Sequence, residues 1–182
     1  VDFWIAIAAI VGVLTAGVLA GVIIGVVLSL DWLVYINATP PIPVLGRLPD
    51  SQAFRSVDEY PDDITYPGLL VLRFDAVLFF ASADALEDRL IELYHQADPK
   101  LHTIVLDFEG VNFVDSQGAD KVAELIELAT ARDIELRLAR VKTAVKDLLQ
   151  RDGIVDRLGE DHIYGNVYEA AADKIPGAAT AA

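Results

Sequence analysis

The chain has 182 residues, 54% of them hydrophobic, and its 28 acidic and 14 basic residues give a formal net charge of -14. An acidic protein repels phosphate backbones, so nucleic-acid binding is not expected. Because the sequence contains no cysteine, disulfides, thiolate metal sites and thiol nucleophiles are excluded, which is compatible with a reducing compartment.

The first segment, residues 1–37, contains an apolar run from Phe3 to Leu30 without an ionisable side chain. As one helix this run would be about 42 Å long, whereas the hydrocarbon core of a bilayer is about 30 Å thick. We therefore expect a membrane segment in the lipid bilayer that breaks near Gly17 into a short and a longer helix, the latter ending near Tyr35. The segment lacks a basic n-region and an initiator methionine, so we expect a piece of a longer protein rather than a signal peptide.

Three glycines in this segment, Gly17, Gly21 and Gly25, recur every four residues. This spacing predicts one helical face where neighbouring backbones approach closely. General helix packing in a larger bundle is favoured over a specific self-association face, which remains the alternative.

The second segment, residues 38–67, contains six of the eight prolines of the chain. Proline fixes φ and removes a hydrogen-bond donor, so this composition predicts a stiff, extended linker. A short strand is expected inside it, near residues 44–48.

The third segment, residues 68–175, alternates predicted strands and helices. Two apolar runs, Leu69 to Phe74 and Val77 to Phe80, predict a β-hairpin, and Ser82 is expected to cap the helix that follows. The near-continuous apolar run from Thr103 to Phe108 predicts a strand that is covered on both faces. Apolar residues spaced by three and four from Val122 to Ala129 predict a second helix. Together these strands and helices predict an α/β domain with a mixed sheet flanked by helices.

The last elements carry boundary signals. Glu135 and Arg137 alternate with apolar residues, which predicts a strand with one polar face that lies nearer an edge. Gly153 is expected to end the third helix as its C′ residue, and Asn166 is expected to cap the final helix. Residues 176–182 are expected to form a disordered tail.

The candidate site is the turn Asp115-Ser116-Gln117-Gly118, which follows a predicted strand and opens a helix. Ligands and partners often meet an open α/β sheet at this position. Asp115 or Ser116 can cap the helix, which is the simpler interpretation. Because Asp115 places a negative charge there, phosphate binding is disfavoured and a partner-docking surface fits better.

No catalytic group of residues is recognised, so we do not expect an enzyme. The histidines His95, His102 and His162 have no metal-ligand spacing, so no metal site is expected. Glycine-rich phosphate loops are absent, and no cofactor is expected. Arg140 and Lys142 remain candidates for a basic contact with a partner or a nucleotide, although a solvated helix face is the simpler interpretation.

The order of apolar helices, proline-rich linker and α/β domain resembles the C-terminal end of a SulP-family anion transporter, and the third segment resembles the STAS domain. The stretches that carry this resemblance are Asp2-Phe3-Trp4-Ile5-Ala6, Val44-Leu45-Gly46-Arg47-Leu48-Pro49, Pro67-Gly68-Leu69-Leu70-Val71-Leu72-Arg73-Phe74-Asp75-Ala76 and Leu138-Ala139-Arg140-Val141-Lys142. The resemblance covers nearly the entire chain, and the turn at Asp115 to Gly118 stands where the family has its signature loop.

The resemblance implies a homodimeric secondary transporter in the inner membrane that moves sulfate or a related inorganic anion. Residues 1–37 would be its last membrane helices, and residues 68–175 a cytoplasmic STAS domain that regulates the membrane core. A regulatory protein partner is a candidate ligand of this domain. The substrate-binding residues of the family lie on earlier helices, outside this chain.

One position departs from the family pattern. Anti-sigma factor antagonists carry a phosphorylated serine directly before the loop glycine, where this chain has Gln117. Ser116 is the remaining candidate phosphoacceptor, and a phosphate there would add about -1.5 to -2 charges beside Asp115.

Two alternatives stay open at this point. One is a soluble signalling module of the anti-sigma antagonist type, against which the apolar N-terminal run argues. The other is a sensor domain with weak guanine or adenine nucleotide binding.

Overall fold

The computed structural model describes residues 1–97 and 100–176. The chain divides into two compact units, Val1–Thr39 and Pro40–Ala182.

The first unit consists of two apolar helices, α1 (Asp2–Ala16) and α2 (Val18–Ala38). Gly17 separates them with a φ of 90°, a left-handed conformation that glycine adopts without strain. The predicted break at Gly17 is confirmed, and α2 extends slightly beyond the predicted end near Tyr35. By length and composition α2 could cross a membrane, and α1 is a shorter apolar helix.

Close packing joins α1 and α2 at Gly21. A Cβ atom built at Gly21 would collide with the side chain of Val13 and the carbonyl oxygen of Ala9, and one at Gly25 would lie 3.3 Å from the Cβ atom of Ala9. Gly17 lies in the turn and not on this helical face, so the predicted row of three glycines is wrong at that position. The outward-facing side chains are large and apolar, as expected for a helix pair in lipid.

The second unit is an α/β domain with six strands and five α-helices in its described part. The strands are β1 (Leu45–Arg47), β2 (Phe54–Ser56), β3 (Leu69–Arg73), β4 (Thr103–Asp107), β5 (Glu135–Ala139) and β6 (Ile163–Tyr164). The helices are α3 (Phe80–Gln96), α4 (Ser116–Ala131), α5 (Thr143–Arg151), α6 (Ile154–Leu158) and α7 (Val167–Ala171).

The main sheet has the strand order β3-β4-β5-β6, and its neighbours are parallel. An antiparallel bridge between Val44 and Leu72 joins the segment before β1 to β3, so the predicted mixed character is confirmed. Apolar clusters cover both faces of the sheet: α3 and α4 pack on one, and α7 with β1 and β2 on the other. Strands β3 to β5 are therefore largely buried, as their apolar sequences predict.

The predicted hairpin of residues 69–80 is wrong. Leu78 forms an isolated parallel bridge with Val114, and α3 already begins at Phe80. Ser82 is the third residue of this helix and not its cap residue: its Oγ accepts a hydrogen bond from the N–H of Phe79 (3.1 Å) and donates to the carbonyl oxygen of Val77 (2.7 Å). The buried serine thus fixes the turn between β3 and α3.

The proline-rich segment is not an extended linker. Strands β1 and β2 pair antiparallel, and Arg47 exchanges backbone hydrogen bonds with Ile64. Arg55 forms a bidentate ion pair with the buried Asp63, with N–O distances of 2.6 and 2.9 Å. Tertiary pairing therefore folds this segment onto the domain, although its prolines favour extended backbone locally.

The polar face of β5 is covered rather than solvated. Arg137 is buried and donates to both carboxylate oxygens of Asp173 (2.5 and 2.9 Å), to both of Glu135 and to the carbonyl oxygen of Ala170. Strand β5 also lies between β4 and the two-residue strand β6, so only a short strand separates it from the edge. Arg137 therefore ties the C-terminal segment to the sheet.

The remaining boundary predictions fall at the helix ends. Gly153 follows α5 with a φ of 72°, as predicted for a C′ residue. The Asn166 side chain accepts a hydrogen bond from the N–H of Glu169 (2.8 Å), so this cap is confirmed. The predicted disordered tail begins at Pro176, which the structure places in a turn. Residues 177–182 lie outside the described part of the chain.

Asp173 is expected to contribute a pH-dependent part of the stability. The hydrogen bond from Arg137 lowers the pKa of the Asp173 carboxyl well below its usual range. Its contribution is therefore present above the unfolded pKa of about 3.9 and is lost as the pH falls further. Since Asp173 is half-exposed, Asp173→Asn should cost about 1 kcal/mol at pH 7 and progressively less below about pH 4.

Urea unfolding of the unaltered chain and of Asp173→Asn, at pH 7 and at a pH of about 3, checks this expectation. Asp88→Asn, at an exposed carboxylate of α3, is the matched control and should change stability by less than about 0.5 kcal/mol. A cost for Asp173→Asn that is the same at both pH values would contradict the linkage.

Candidate functional site

The carboxyl ends of β3, β4 and β5 meet at one edge of the sheet, where Arg73 pairs in register with Asp107, and Asp107 with Ala139. Asp107 is completely buried. Its carboxylate accepts hydrogen bonds from Nε of Arg73 and from Nε of Arg140, each at 2.9 Å, and a further bond from the second nitrogen of Arg140. Two guanidinium groups, one from the last residue of β3 and one from the residue after β5, thus compensate one buried charge.

This ion cluster also fixes the loop that leads to the predicted site. Oδ1 of Asp107 accepts a hydrogen bond from the N–H of Glu109 (3.2 Å), and Arg140 contacts the carboxylate of Glu109. Arg140 itself has a φ of 57°, a conformation that is uncommon for a residue other than glycine. Its N–H donates to the carbonyl oxygen of Tyr164 (3.0 Å), so the backbone and the side chain together hold it in place.

Asp115 is the N-cap residue of α4. Its Oδ1 accepts a hydrogen bond from the N–H of Gly118 at 2.6 Å, the arrangement that the simpler interpretation of this turn predicts. Ser116 and Gln117 lie exposed on the first turn of the helix. The side chain of Asp115 therefore has a structural role, and the two exposed residues remain accessible to a partner or to modification.

Gly118 is buried where two loops cross. A Cβ atom at this position would collide with the carbonyl oxygen of Leu78. The same carbonyl accepts a hydrogen bond from the N–H of Asp115 (3.1 Å), and the N–H of Leu78 donates to the carbonyl of Phe113 (3.0 Å). Only a residue without a side chain permits this approach, so Gly118 couples the loop before α3 to the loop before α4.

The predicted basic residues are engaged in different contacts. The guanidinium nitrogens of Arg140 contact Asp107 and Glu109, so Arg140 is compensated by carboxylates. Lys142 is exposed, and its Nζ lies 2.6 Å from Oδ1 of Asn112. The two residues stand on the same edge as Asp115, but they do not form a cluster of uncompensated positive charge.

Asp75 also stands at this edge and was not predicted as a site residue. Partial burial of its carboxyl raises the pKa of Asp75; Arg73 opposes this shift, whereas the nearby carboxylates of Asp107 and Glu109 add to it. Among residues 1–97 and 100–176 no cation forms an ion pair with Asp75 within 4 Å, and no group of three His, Asp or Glu residues could hold a metal ion.

Comparisons with known proteins identify the domain to which this edge belongs. The family whose model matches the chain is described as the STAS domain, and the match covers residues 60–170. The chain belongs to the STAS domain family. Its α/β fold with helices on a mixed sheet is the STAS fold, and the edge at Asp115 to Gly118 is an edge of this domain.

Sequence similarity to transporters extends beyond the STAS domain. A probable sulfate transporter of Arabidopsis thaliana is 31% identical over 163 residues, which are 85% of this chain and 24% of the relative. A probable sulfate transporter of Mycobacterium tuberculosis is 33% identical over 163 residues, which are 90% of this chain and 29% of the relative. The predicted resemblance to the C-terminal part of such transporters is confirmed, and the chain spans about a quarter of their length.

A solved structure has the same fold. The structure of the murine Solute Carrier 26 family member A9 anion transporter superposes with a TM-score of 0.77 at 19% identity, covering 89% of this chain and 27% of that protein.

Proposed function

We propose that this chain is the C-terminal part of a secondary transporter that moves sulfate or a related inorganic anion, and that its STAS domain regulates the membrane core. The observation that carries this proposal is that one chain joins a lipid-compatible helix pair to a STAS domain, with similarity to sulfate transporters across both. The STAS domain would have no catalytic activity of its own.

The proposed arrangement has four parts. Residues 1–37 lie in the bilayer as the last helices of a multi-pass core, residues 38–67 connect them to the STAS domain of residues 68–175, and residues 176–182 form the tail. The STAS domain faces the cytoplasm, and the transporter is a homodimer in the cell membrane. Arg47 and Arg55 support this orientation, because basic residues near membrane segments are enriched on the cytoplasmic side.

Proteoliposomes that contain the product of the complete open reading frame test this proposal. We expect saturable uptake of radiolabelled sulfate that unlabelled sulfate reduces, and deletion of residues 40–182 should lower the initial rate at least fivefold. The amount of reconstituted protein serves as the control. Absence of uptake for sulfate and for other inorganic anions would contradict the transporter assignment, and unchanged uptake after the deletion would contradict the regulatory role.

Regulation would act at the edge that contains Asp115, Ser116, Gln117 and Gly118. Ser116 and Gln117 are exposed and their backbone is fixed by the cap at Asp115, so a partner would meet a preformed surface. Phosphorylation of Ser116 would add negative charge beside Asp115 and so change the affinity for a charged partner.

A further inference from the structure

On the two joined loops beside the signature loop, three large apolar side chains are exposed, Val77, Phe80 and Phe113, which we call the apolar patch. They are 40%, 55% and 57% exposed. Leu78 and Val114 form a parallel bridge, and the side chains of both residues are buried in the core. Because successive side chains of an extended segment point to opposite sides, Val77 and Phe113 both point outward.

The backbone under the apolar patch is rigidly connected. Phe80 occupies the first position of α3, and the ring of Phe79 packs against it edge to face, with the ring centroids 5.4 Å apart. The hydrogen bond from Leu78 to Phe113 and the close approach at Gly118 hold the two loops together. Exposed aromatic side chains on a preformed backbone are typical of the anchor residues of protein interfaces.

Charges around the apolar patch are mainly acidic and partly uncompensated. Asp75 lies two residues before Val77, and Asp120 lies one helical turn after Ser116; neither forms an ion pair in the described part of the chain. Asp115 adds a further carboxylate at the helix start. Among the cations of this edge, Arg73 and Arg140 pair with the buried Asp107. Lys142 holds Asn112, the neighbour of Phe113.

This charge distribution indicates which kind of ligand could bind at the apolar patch. An anionic lipid surface would be repelled by Asp75, Asp115 and Asp120, and so would the same acidic edge of a second copy of the chain. A protein segment with positive side chains around an apolar anchor would be attracted, and it could form an ion pair with Asp75, which has none within 4 Å in the described part of the chain.

We propose that the apolar patch, with Asp75 and Asp120, binds a protein segment in which Lys or Arg residues flank a large apolar side chain. This inference rests on the proposed regulatory role and specifies the chemistry of the partner. The apolar side chain packs between Phe113 and Phe80, and the flanking cations pair with the two carboxylates. Phosphorylation of Ser116 then strengthens binding, because it adds negative charge at the rim.

A synthetic peptide with four lysines around a central Leu-Trp-Leu tests the proposal on the complete chain in maltoside micelles. Binding of the dye-labelled peptide is measured by fluorescence anisotropy against micelles without protein, and the contacted residues are located by amide chemical shifts. We expect saturable binding that weakens with salt, with shifts at residues 75–80 and 113–120. A peptide with glutamate in place of lysine should not bind.

Variants separate the two parts of the patch. Phe113→Ser is expected to weaken peptide binding at least tenfold. Phe80→Ser should also weaken peptide binding. Asp75→Asn combined with Asp120→Asn should weaken it about threefold and reduce its salt dependence. Ile64→Ser and Asp62→Asn, at exposed positions of the segment before β3, are the matched apolar and acidic controls and should leave binding unchanged.

Three results would overturn the proposal: equal binding of the glutamate peptide, unchanged binding by Phe113→Ser, or amide shifts confined to other surfaces. Binding only to phosphatidylglycerol vesicles would assign the patch to a lipid surface instead, and concentration-dependent dimerisation through Phe113 would assign it to a second copy. Sulfate uptake is measured separately, so loss of uptake with intact peptide binding rejects the transporter assignment and leaves the partner chemistry standing. The reverse result rejects the partner chemistry alone.

Discussion

Replacement of Asp107 by asparagine is expected to lower the free energy of unfolding of the STAS domain by about 3 kcal/mol. The carboxylate is fully buried and accepts from Arg73, from Arg140 and from the N–H of Glu109. An amide offers one acceptor oxygen and turns its N–H₂ group toward a guanidinium donor. Because the two arginine side chains are about one quarter exposed, water compensates part of the uncovered charge and keeps the cost below the upper end of the range.

Urea unfolding measures this effect. With a denaturant slope of about 2 kcal/mol per molar, a loss of 3 kcal/mol moves the midpoint down by about 1.5 M. The loop between β4 and α4 should also exchange its backbone amides faster, since Glu109 loses its anchor. Glu109→Gln is the matched control: this carboxylate is mostly exposed and touches the same arginine, and its loss should cost less than about 1 kcal/mol. Equal effects of the two substitutions would show that burial of Asp107 is not what makes it important.

The order of elements could be predicted from the sequence because it depends on local signals. The apolar run and the central glycine of the membrane segment indicated two helices separated at Gly17, and the apolar run at residues 103–108 indicated a buried strand. Helix-end signals at Asp115, Gly153 and Asn166 were equally local, since a cap and its partner lie within four residues.

The errors arise where distant parts of the chain decide the conformation. Val77 to Phe80 has the composition of a strand, but its bridge to Val114 and the buried Ser82 start a helix there. The prolines of residues 38–67 favour an extended chain, yet the pairing of β1 with β2 and the bridge from Val44 to Leu72 fold it back. Such pairings become visible only in three dimensions.

In the candidate site, too, the residues with local signals were predicted and those that depend on distant contacts were missed. Asp115 and Gly118 were found by residue type and spacing, whereas Asp107 and Arg73 were missed although each ends an apolar strand. Alignment of the predicted parallel strands would have placed them side by side, because charged residues at the same end of neighbouring strands share an edge. Arg137 was assigned to the polar face of its strand, and its burial could not be foreseen because the C-terminal segment that covers it lies more than thirty residues later.

Gly118→Val is expected to lower the stability of the STAS domain by about 3 kcal/mol and to abolish the binding of the lysine peptide at the apolar patch. The new side chain would have to displace the backbone carbonyl of Leu78, which already lies too close for a Cβ atom. A shift of Leu78 breaks its hydrogen bonds with Asp115 and Phe113 and separates Val77 from Phe113. Gly118→Ala should show the same changes at about half the size, because it adds only the Cβ atom.

Gln117→Ala is the matched control, because its side chain is exposed on the same helical turn, and it should change stability by less than about 0.5 kcal/mol. Urea midpoints and peptide anisotropy are measured on the same preparations, at urea concentrations where every variant is folded. A loss of binding in folded Gly118→Ala protein indicates that the crossing at Leu78 positions the patch. If folded Gly118→Ala protein bound the peptide like the unaltered chain, the apolar patch would not depend on this crossing, and the coupling of the two loops would be a matter of stability alone.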